Sequence, residues 1–248
     1  MILDLYIEKL HKILDDIGSR SAAAIGVAGK MVADSIRNSG VVHTFGTGHS
    51  HMIAEEAFFR AGGLVPVNAI LDERLAFFDG ALESTYAERE EGYALNLLAK
   101  EAIAPGDVAI LISNSGRNAV PIEMALEMKR RDVGTIAITN LRQSAASPSR
   151  HASGRRLFEV VDLAIDTCVE RGDAVVELKG VSQRMGPAST IAGAAIVNAI
   201  MMEAALIAVK DGHQPSIFPS ANLTETTDDM IVALYRPFSG RIRRMGQL

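Results

Sequence analysis

A single cysteine, Cys168, stands among 248 residues. One thiol excludes an internal disulfide and fits a reducing cytoplasm, where such a residue is expected as a small core or strand-end side chain. Basic residues are not in excess: 25 Lys and Arg face 30 Asp and Glu, a net charge of −5. That balance argues against a general nucleic-acid surface and leaves room for a local anion site at helix ends. No secretory leader is expected, because Asp4, Glu8 and Lys9 interrupt the opening residues. The one long apolar run, Ala188 to Val209, contains Asn198 and Glu203 and is rich in Ala and Gly. It reads as a buried helix and candidate subunit contact, so no membrane partner is expected. The histidines lack His-x-x-x-His spacing: His49 and His51 are two apart, and His151 and His213 lie elsewhere. No metal and no other cofactor is therefore expected. No repeat, low-complexity segment or linker divides the chain. With 48% apolar and 22% charged residues it has the material for a full core. It reads as one domain over 1–248, with N-terminal helices 3–38, a core 41–210 and a C-terminal extension 211–248.

What is present is a βα rhythm. Apolar spacing of helical type runs over 3–17, with Gly18 as its end, and a small-residue-rich helix over 20–38. Strand 41–46 then leads to helix 50–61. The run 64–71 reads as a strand in which Pro66 marks its beginning or a sheet edge. Residues 72–90 crowd Asp72, Glu73, Arg74, Glu83, Glu88, Arg89 and Glu90 together. They form either a solvated excursion or a segment holding acid–base groups over a site. Helix 92–103, strand 108–113, helix 118–131 and strand 134–139 follow. A basic, hydroxyl-rich loop spans 140–156, and strands are expected over 161–167 and 174–178. The last long helix is 188–209, with a further helical piece over 226–235. Serial βα units predict an α/β fold: a three-layer, doubly wound parallel sheet with ligands at the carboxyl ends of the strands.

Two stretches repeat one device. Gly46-Thr47-Gly48-His49-Ser50-His51 follows the apolar run 41–45, and Ser113-Asn114-Ser115-Gly116-Arg117-Asn118 follows 108–112. Each is strand, small polar turn, helix. Small residues let the backbone close on a ligand, and N–H and O–H donors at a helix start hold a phosphate with few cations. The first turn is not G-x-G-x-x-G, since its sixth residue is His, and no Lys followed by Ser or Thr makes a P-loop. A dinucleotide reading keeps Asp72, near the end of the second strand, as its ribose partner.

The pair of turns resembles the sugar isomerase (SIS) domain family. The likeness extends to Ile136-Ala137-Ile138-Thr139-Asn140 and to Gly186-Pro187-Ala188-Ser189-Thr190, and covers roughly residues 20–210. Ser149-Arg150-His151-Ala152-Ser153-Gly154 and Ser220-Ala221-Asn222-Leu223 make it similar to the UPF0309, phosphoheptose isomerase-like group. The resemblance implies a flavodoxin-like SIS fold and a homodimer or homotetramer with sites near subunit boundaries. It implies a sugar-phosphate ligand held by Ser50, Ser113, Ser115 and the backbone at Gly48, Asn114 and Gly116. Asn118 and Ser189 either join that cradle or cap their helices.

Aldose–ketose isomerisation needs a base beside a carbonyl and an acid that moves protons between oxygens. Glu56, His49, Glu73 and His213 are the candidates for these roles. His51, Arg117 and His151 are candidate substrate contacts. Each has a plainer role open to it: helix-surface acid for Glu55 and Glu56, helix-start bonding for His49 and His51, loop fixing for His151. His43, inside a strand, reads as a satisfied core or interface residue. In arabinose-5-phosphate isomerase-like relatives a lysine stands where His49 does and a glutamate where Arg117 does, with a histidine after the last helix, matched here by His213. The expected function is a cofactor-independent sugar-phosphate isomerase. The alternative is a non-catalytic phosphosugar or sugar-nucleotide sensor.

Overall fold

Strands apolar on every side chain must be covered on both faces, and Val108–Ile112 is such a strand. Its Val108, Ile110 and Ile112 enter one core while Ala109 and Leu111 enter another. The computed structural model describes residues 1–245; the last three residues of the C-terminal extension lie outside them. In chain order the elements are α1 (Ile2–Asp16), a π-helical turn (Ile17–Ser21), α2 (Ala22–Arg37), β1 (Val42–Gly46), α3 (His49–Glu56), β2 (Val67–Ile70), α4 (Ala81–Ala87) and α5 (Tyr93–Leu98). Then come β3 (Val108–Ile112), α6 (Ala119–Arg130), β4 (Gly134–Thr139), α7 (Leu141–Ala145), α8 (Leu157–Val160), β5 (Leu163–Asp166), β6 (Ala174–Val176), β7 (Met185–Pro187), α9 (Ser189–Lys210) and α10 (Asp228–Tyr235). Five strands form one parallel sheet in the order β2-β1-β3-β4-β5. Helices α2, α3 and α9 pack on one face and α5, α6 and α8 on the other. This is the expected three-layer, doubly wound sheet.

The small residues of α2 and α9 let the two helices touch. A Cβ at Gly29 would stand 2.6 Å from Cγ of Glu203, and one at Gly193 would collide with Ile53 on α3. By length and composition α9 is apolar enough to cross a membrane. In the fold its Ala192, Ile196, Val197, Ile200 and Ala204 are buried against the core.

Several boundaries differ from the sequence reading. Gly18 does not end the first helix; the chain continues through the π-helical turn into α2. The strand expected over 64–71 contracts to Val67–Ile70. Pro66 has no N–H to give and contributes only its carbonyl, to the amide of Val42. Leu64 and Val65 pair instead with Ile217 and Ser216 of the C-terminal extension. Helices α3 and α5 stop at Glu56 and Leu98, short of the expected 61 and 103. Met185–Pro187, not expected as a strand, pairs antiparallel with β6.

His43 is a satisfied core residue, as expected. Its Nε2 lies 3.0 Å from Oδ2 of Asp107, and Asn68 Nδ2 lies 3.2 Å from its Nδ1. Asp107 also accepts from the amides of Val41 and Ala104 and from Arg241. Burial pushes the Asp107 carboxyl up, but these donors outweigh it and hold its pKa at about 2. The cluster sits where β1 and β3 begin, at the opposite end of the sheet from both turns.

Candidate functional site

β1 and β3 are adjacent, yet β2 lies outside β1 and β4 outside β3. Between them is the switch point of the sheet, where the chain turns away to both sides and leaves a crevice. The two Gly- and Ser-rich turns open there. A Cβ at Gly46 would strike the Ser50 backbone, so α3 can start this close to the strand only after a glycine. Gly48 has φ 55° and its N–H donates to the Leu75 carbonyl at 2.8 Å, which ties the turn to the segment after β2. In the second turn Gly116 has φ 59°. A Cβ there would stand 2.7 Å from Oγ of Ser144 and 3.0 Å from Oγ1 of Thr139. The Gly116 amide donates to Ser113 Oγ at 3.1 Å.

The turns enclose a cavity of about 310 Å³. His49 and Ser50 of α3, Asn118 before α6 and Ser189 of α9 line it, so three helix N-termini meet in one place. No lysine or arginine lines it among the described residues. Hydroxyls do, and most are committed. Thr47 donates to Glu88, Ser84 to the Leu75 carbonyl, Thr85 to the Ala81 carbonyl and Ser189 to Asp173. Ser50, Ser113 and Ser115 are the exceptions: among the described residues none of the three donates its hydroxyl proton to another group. Aligned amide dipoles and free hydroxyls suit an anion.

Two carboxylates reach the same cavity. Glu88, at the C-terminal end of α4, accepts from Thr47 Oγ1 at 2.8 Å. Asp173, with φ 71°, accepts from the Ala188 amide at 3.0 Å, the Ser189 amide at 2.7 Å and the Ser189 hydroxyl at 2.9 Å. It is the cap of α9, placed from a loop rather than from the preceding residue. Sequence reasoning had Glu88 only as one acid in the crowd over 72–90 and gave Asp173 no role. Gln143, which also lines the cavity, was not singled out at all.

An SIS domain family model matches residues 5–140, which span both turns. The chain belongs to the SIS domain family. A UPF0309 protein of Geobacillus kaustophilus is 44% identical over 222 residues, 90% of this chain and 88% of that protein, which places the chain in the UPF0309 group. Among solved structures, a phosphoheptose isomerase from Neisseria gonorrhoeae superposes with a TM-score of 0.54 at 15% identity, covering 81% of this chain and 95% of that one. The Vibrio vulnificus NanR protein complexed with ManNAc-6P superposes with a TM-score of 0.50 at 14% identity, covering 85% of this chain and 64% of that one. At such identities the likeness is one of fold.

In this SIS domain the turn residues Gly48, His49, Ser50, Ser113, Asn114, Ser115 and Asn118 line one cavity together with Ser189; Gly116 supports them from behind. The His49 ring stands edge-on to Phe77 with centroids 4.9 Å apart. Asn118 occupies the N-cap position of α6 without a side-chain capping bond; its Oδ1 accepts from Arg150 at 3.0 Å. Glu56 pairs with Arg60 and accepts from Asn198 at 2.9 Å, outside the cavity lining. His51 is buried, its Nδ1 3.8 Å from Glu55, and burial pushes its pKa down. Glu73 is exposed in a separate pocket beside Lys100, Arg243 and Arg244. His213 lies beyond α9 in a pocket with Ala33 and Pro66. Arg117 and His151 lie behind the second turn. The Arg117 carbonyl accepts from the Arg150 amide, and His151 Nδ1 lies 2.8 Å from Ser153 Oγ. Asp72 accepts from the amides of Arg74 and Leu75 and from Tyr93. All three bonds fall on Oδ1, and Asp72 lines the pocket of Glu73 rather than the switch-point cavity that a dinucleotide reading needs. Glu83 and Glu90 pair with Arg74, so much of the acidic crowd is a structural ion-pair cluster.

Proposed function

We propose that this SIS domain binds a sugar phosphate at the switch point and isomerises it by proton transfer. The observation that carries the reading is the convergence of three uncommitted serine hydroxyls and three helix N-termini on one cavity without lysine or arginine. A phosphate dianion is satisfied by such a ring of donors. Two structural neighbours support the class of ligand: one is a phosphoheptose isomerase and the other holds ManNAc-6P. Ser50, Ser113 and Ser115 hold the phosphate. Glu88 takes the proton from the carbon next to the carbonyl and returns it to the neighbouring carbon. His49 moves a proton between the two substrate oxygens, so that the net change is one hydrogen shifted and no cofactor is consumed. Glu88 is preferred to Glu56 because it lines the cavity, whereas Glu56 is engaged by Arg60 and Asn198.

A binding-only reading has one specific support. Both carboxylates of the cavity already hold structural partners, Glu88 on Thr47 and Asp173 on α9. The deciding experiment is a thermal-shift panel of sugar phosphates with the free sugars as controls, followed by turnover assays on every sugar phosphate that stabilises. A ligand at a hundredfold excess over its dissociation constant stabilises by about 2.7 kcal/mol. Stabilisation by a sugar phosphate but not by its free sugar is expected. No stabilisation by any of them overturns the reading, and stabilisation without turnover leaves a sensor.

The chain assembles as a homodimer or homotetramer through α1, α2 and α9. Leu14, Val27, Met202 and Leu206 expose large apolar side chains there. Phe77, on the cavity wall, and Phe78 are exposed as well, which supports a site near a subunit boundary. Light scattering at micromolar concentration tests this, and a monomer counts against it.

A further inference from the structure

We propose that a second cavity, at the outer edge of β5, binds a small phosphorylated molecule carrying two or more negative charges, and that its occupancy is felt at the cap of α9. The cavity measures about 520 Å³ and lies between α1, the π-helical turn and the residues that follow β5. Six cationic side chains line it: Lys9, Lys12, Arg20, Arg142, Arg171 and Arg184. Three acids, Asp16, Asp166 and Glu170, line it too, so the wall carries a local excess of three positive charges in a chain of net charge −5.

The acids are already used. Lys12 pairs with Asp16 at 2.9 Å and Arg20 with Asp166 at 3.1 Å, while Lys9 and Arg184 share Glu170 at 3.5 and 2.7 Å. Arg142 and Arg171 take part in no ion pair among the described residues, whereas Arg184 also reaches Glu177, its Nε 3.5 Å from that carboxylate. Arg142 and Arg171 come from separate stretches of chain to a concavity with more cations than acids, and no carboxylate offsets their charge there. Guanidinium forks are matched to phosphate oxygens, which they hold two at a time. The floor is apolar and fixed: Ile13 and Val169 are buried, and Asn140 is held by the Val169 carbonyl and the Gln143 amide.

Two short stretches face both cavities. On α7, Arg142 lines this one and its neighbour Gln143 lines the switch-point site. In the loop after β5, Arg171 lines this one and Asp173 lines the site, where it holds the amides of Ala188 and Ser189. Gln143 Oε1 accepts from the Gly172 amide at 3.0 Å and fastens the two stretches together. An anion that draws in Arg142 and Arg171 therefore pulls on the residue that caps α9, and the coupling runs in both directions.

The test uses the full chain and inorganic diphosphate, followed by titration calorimetry at fixed ionic strength. It is made in a Ser113→Ala/Ser115→Ala background, which removes the switch-point donors and keeps this result separate from the proposed isomerase. Diphosphate is expected to bind there, orthophosphate and citrate more weakly. Arg142→Ala/Arg171→Ala added to it should weaken diphosphate at least tenfold; Arg171→Gln alone gives the same direction should the double change unfold, which circular dichroism reports. Hydrogen exchange at the Ala188 and Ser189 amides should change on adding diphosphate. Absence of diphosphate binding, undiminished binding after folded arginine variants, or citrate binding as tightly as diphosphate overturns the site. Unchanged exchange at both amides overturns the coupling.

Discussion

The switch-point cavity offers the proposed anion three helix starts and three serine hydroxyls, with no lysine or arginine among the described residues. The proposed site at the edge of β5 offers it six lysines and arginines. The first arrangement is made of helix-start amides and short serine side chains, so its donors have little freedom before the ligand arrives and only a group of the right shape fits all of them. The second is made of long side chains, which adapt to shape but respond to the surrounding salt. On these two proposals one chain separates recognition by geometry from recognition by charge, with the proposed proton-transferring groups beside the geometric site.

The sharpest way to break this contrast is Glu88→Gln. It should lower isomerase turnover about a thousandfold while leaving sugar-phosphate affinity within about twofold, measured by steady-state assay and calorimetry. A loss of binding equal to the loss of turnover would make Glu88 a ligand contact instead. Next in size, Ser113→Ala/Ser115→Ala should weaken sugar-phosphate binding by about 1–3 kcal/mol and leave the free sugar's weak binding unaffected. Equal losses for both ligands would show that the turns do not hold the phosphate. Asp173→Ala removes the cap of α9 and should cost about 1 kcal/mol of stability, read from urea denaturation, with a loss of sugar-phosphate affinity alongside. The smallest effect is the most diagnostic of the comparison. Raising salt from about 50 to about 200 mM should weaken diphosphate at the β5 edge several-fold and change binding at the switch point by about twofold or less. Equal salt slopes would erase the distinction between the two cavities.

How much of this was legible depends on where each residue gets its partners. Strand β4 was read at its observed limits, because Thr135, Ile136 and Ile138 are β-branched and the turns on either side are sharp. Both turns were legible because glycine and serine gather directly after apolar runs, and that local pattern is sufficient to start a helix at a strand end. Glu88 and Asp173 were not, since their placement comes from loops whose approach is decided by Thr47 and by the amides of Ala188 and Ser189. Glu56 and Glu73 looked better placed by spacing. A helix periodicity does not reveal that Asn198 of α9 occupies the first, nor a strand's end that the chain then carries the second toward Arg243 and Arg244. The strand over 64–71 was overread because Leu64 and Val65 are apolar for a different partner, the distant extension.

That pairing bears on how the protein is made. A ribosome releases β2 long before Ser216 and Ile217, and the extension's Arg241, which bonds Asp107 under the sheet, follows later still. At roughly 5–20 residues per second the delay is on the order of ten seconds. Until the extension emerges, Leu64 and Val65 lack the partners they have in the fold and the Asp107 carboxylate, once made, lacks its arginine; one late stretch supplies both.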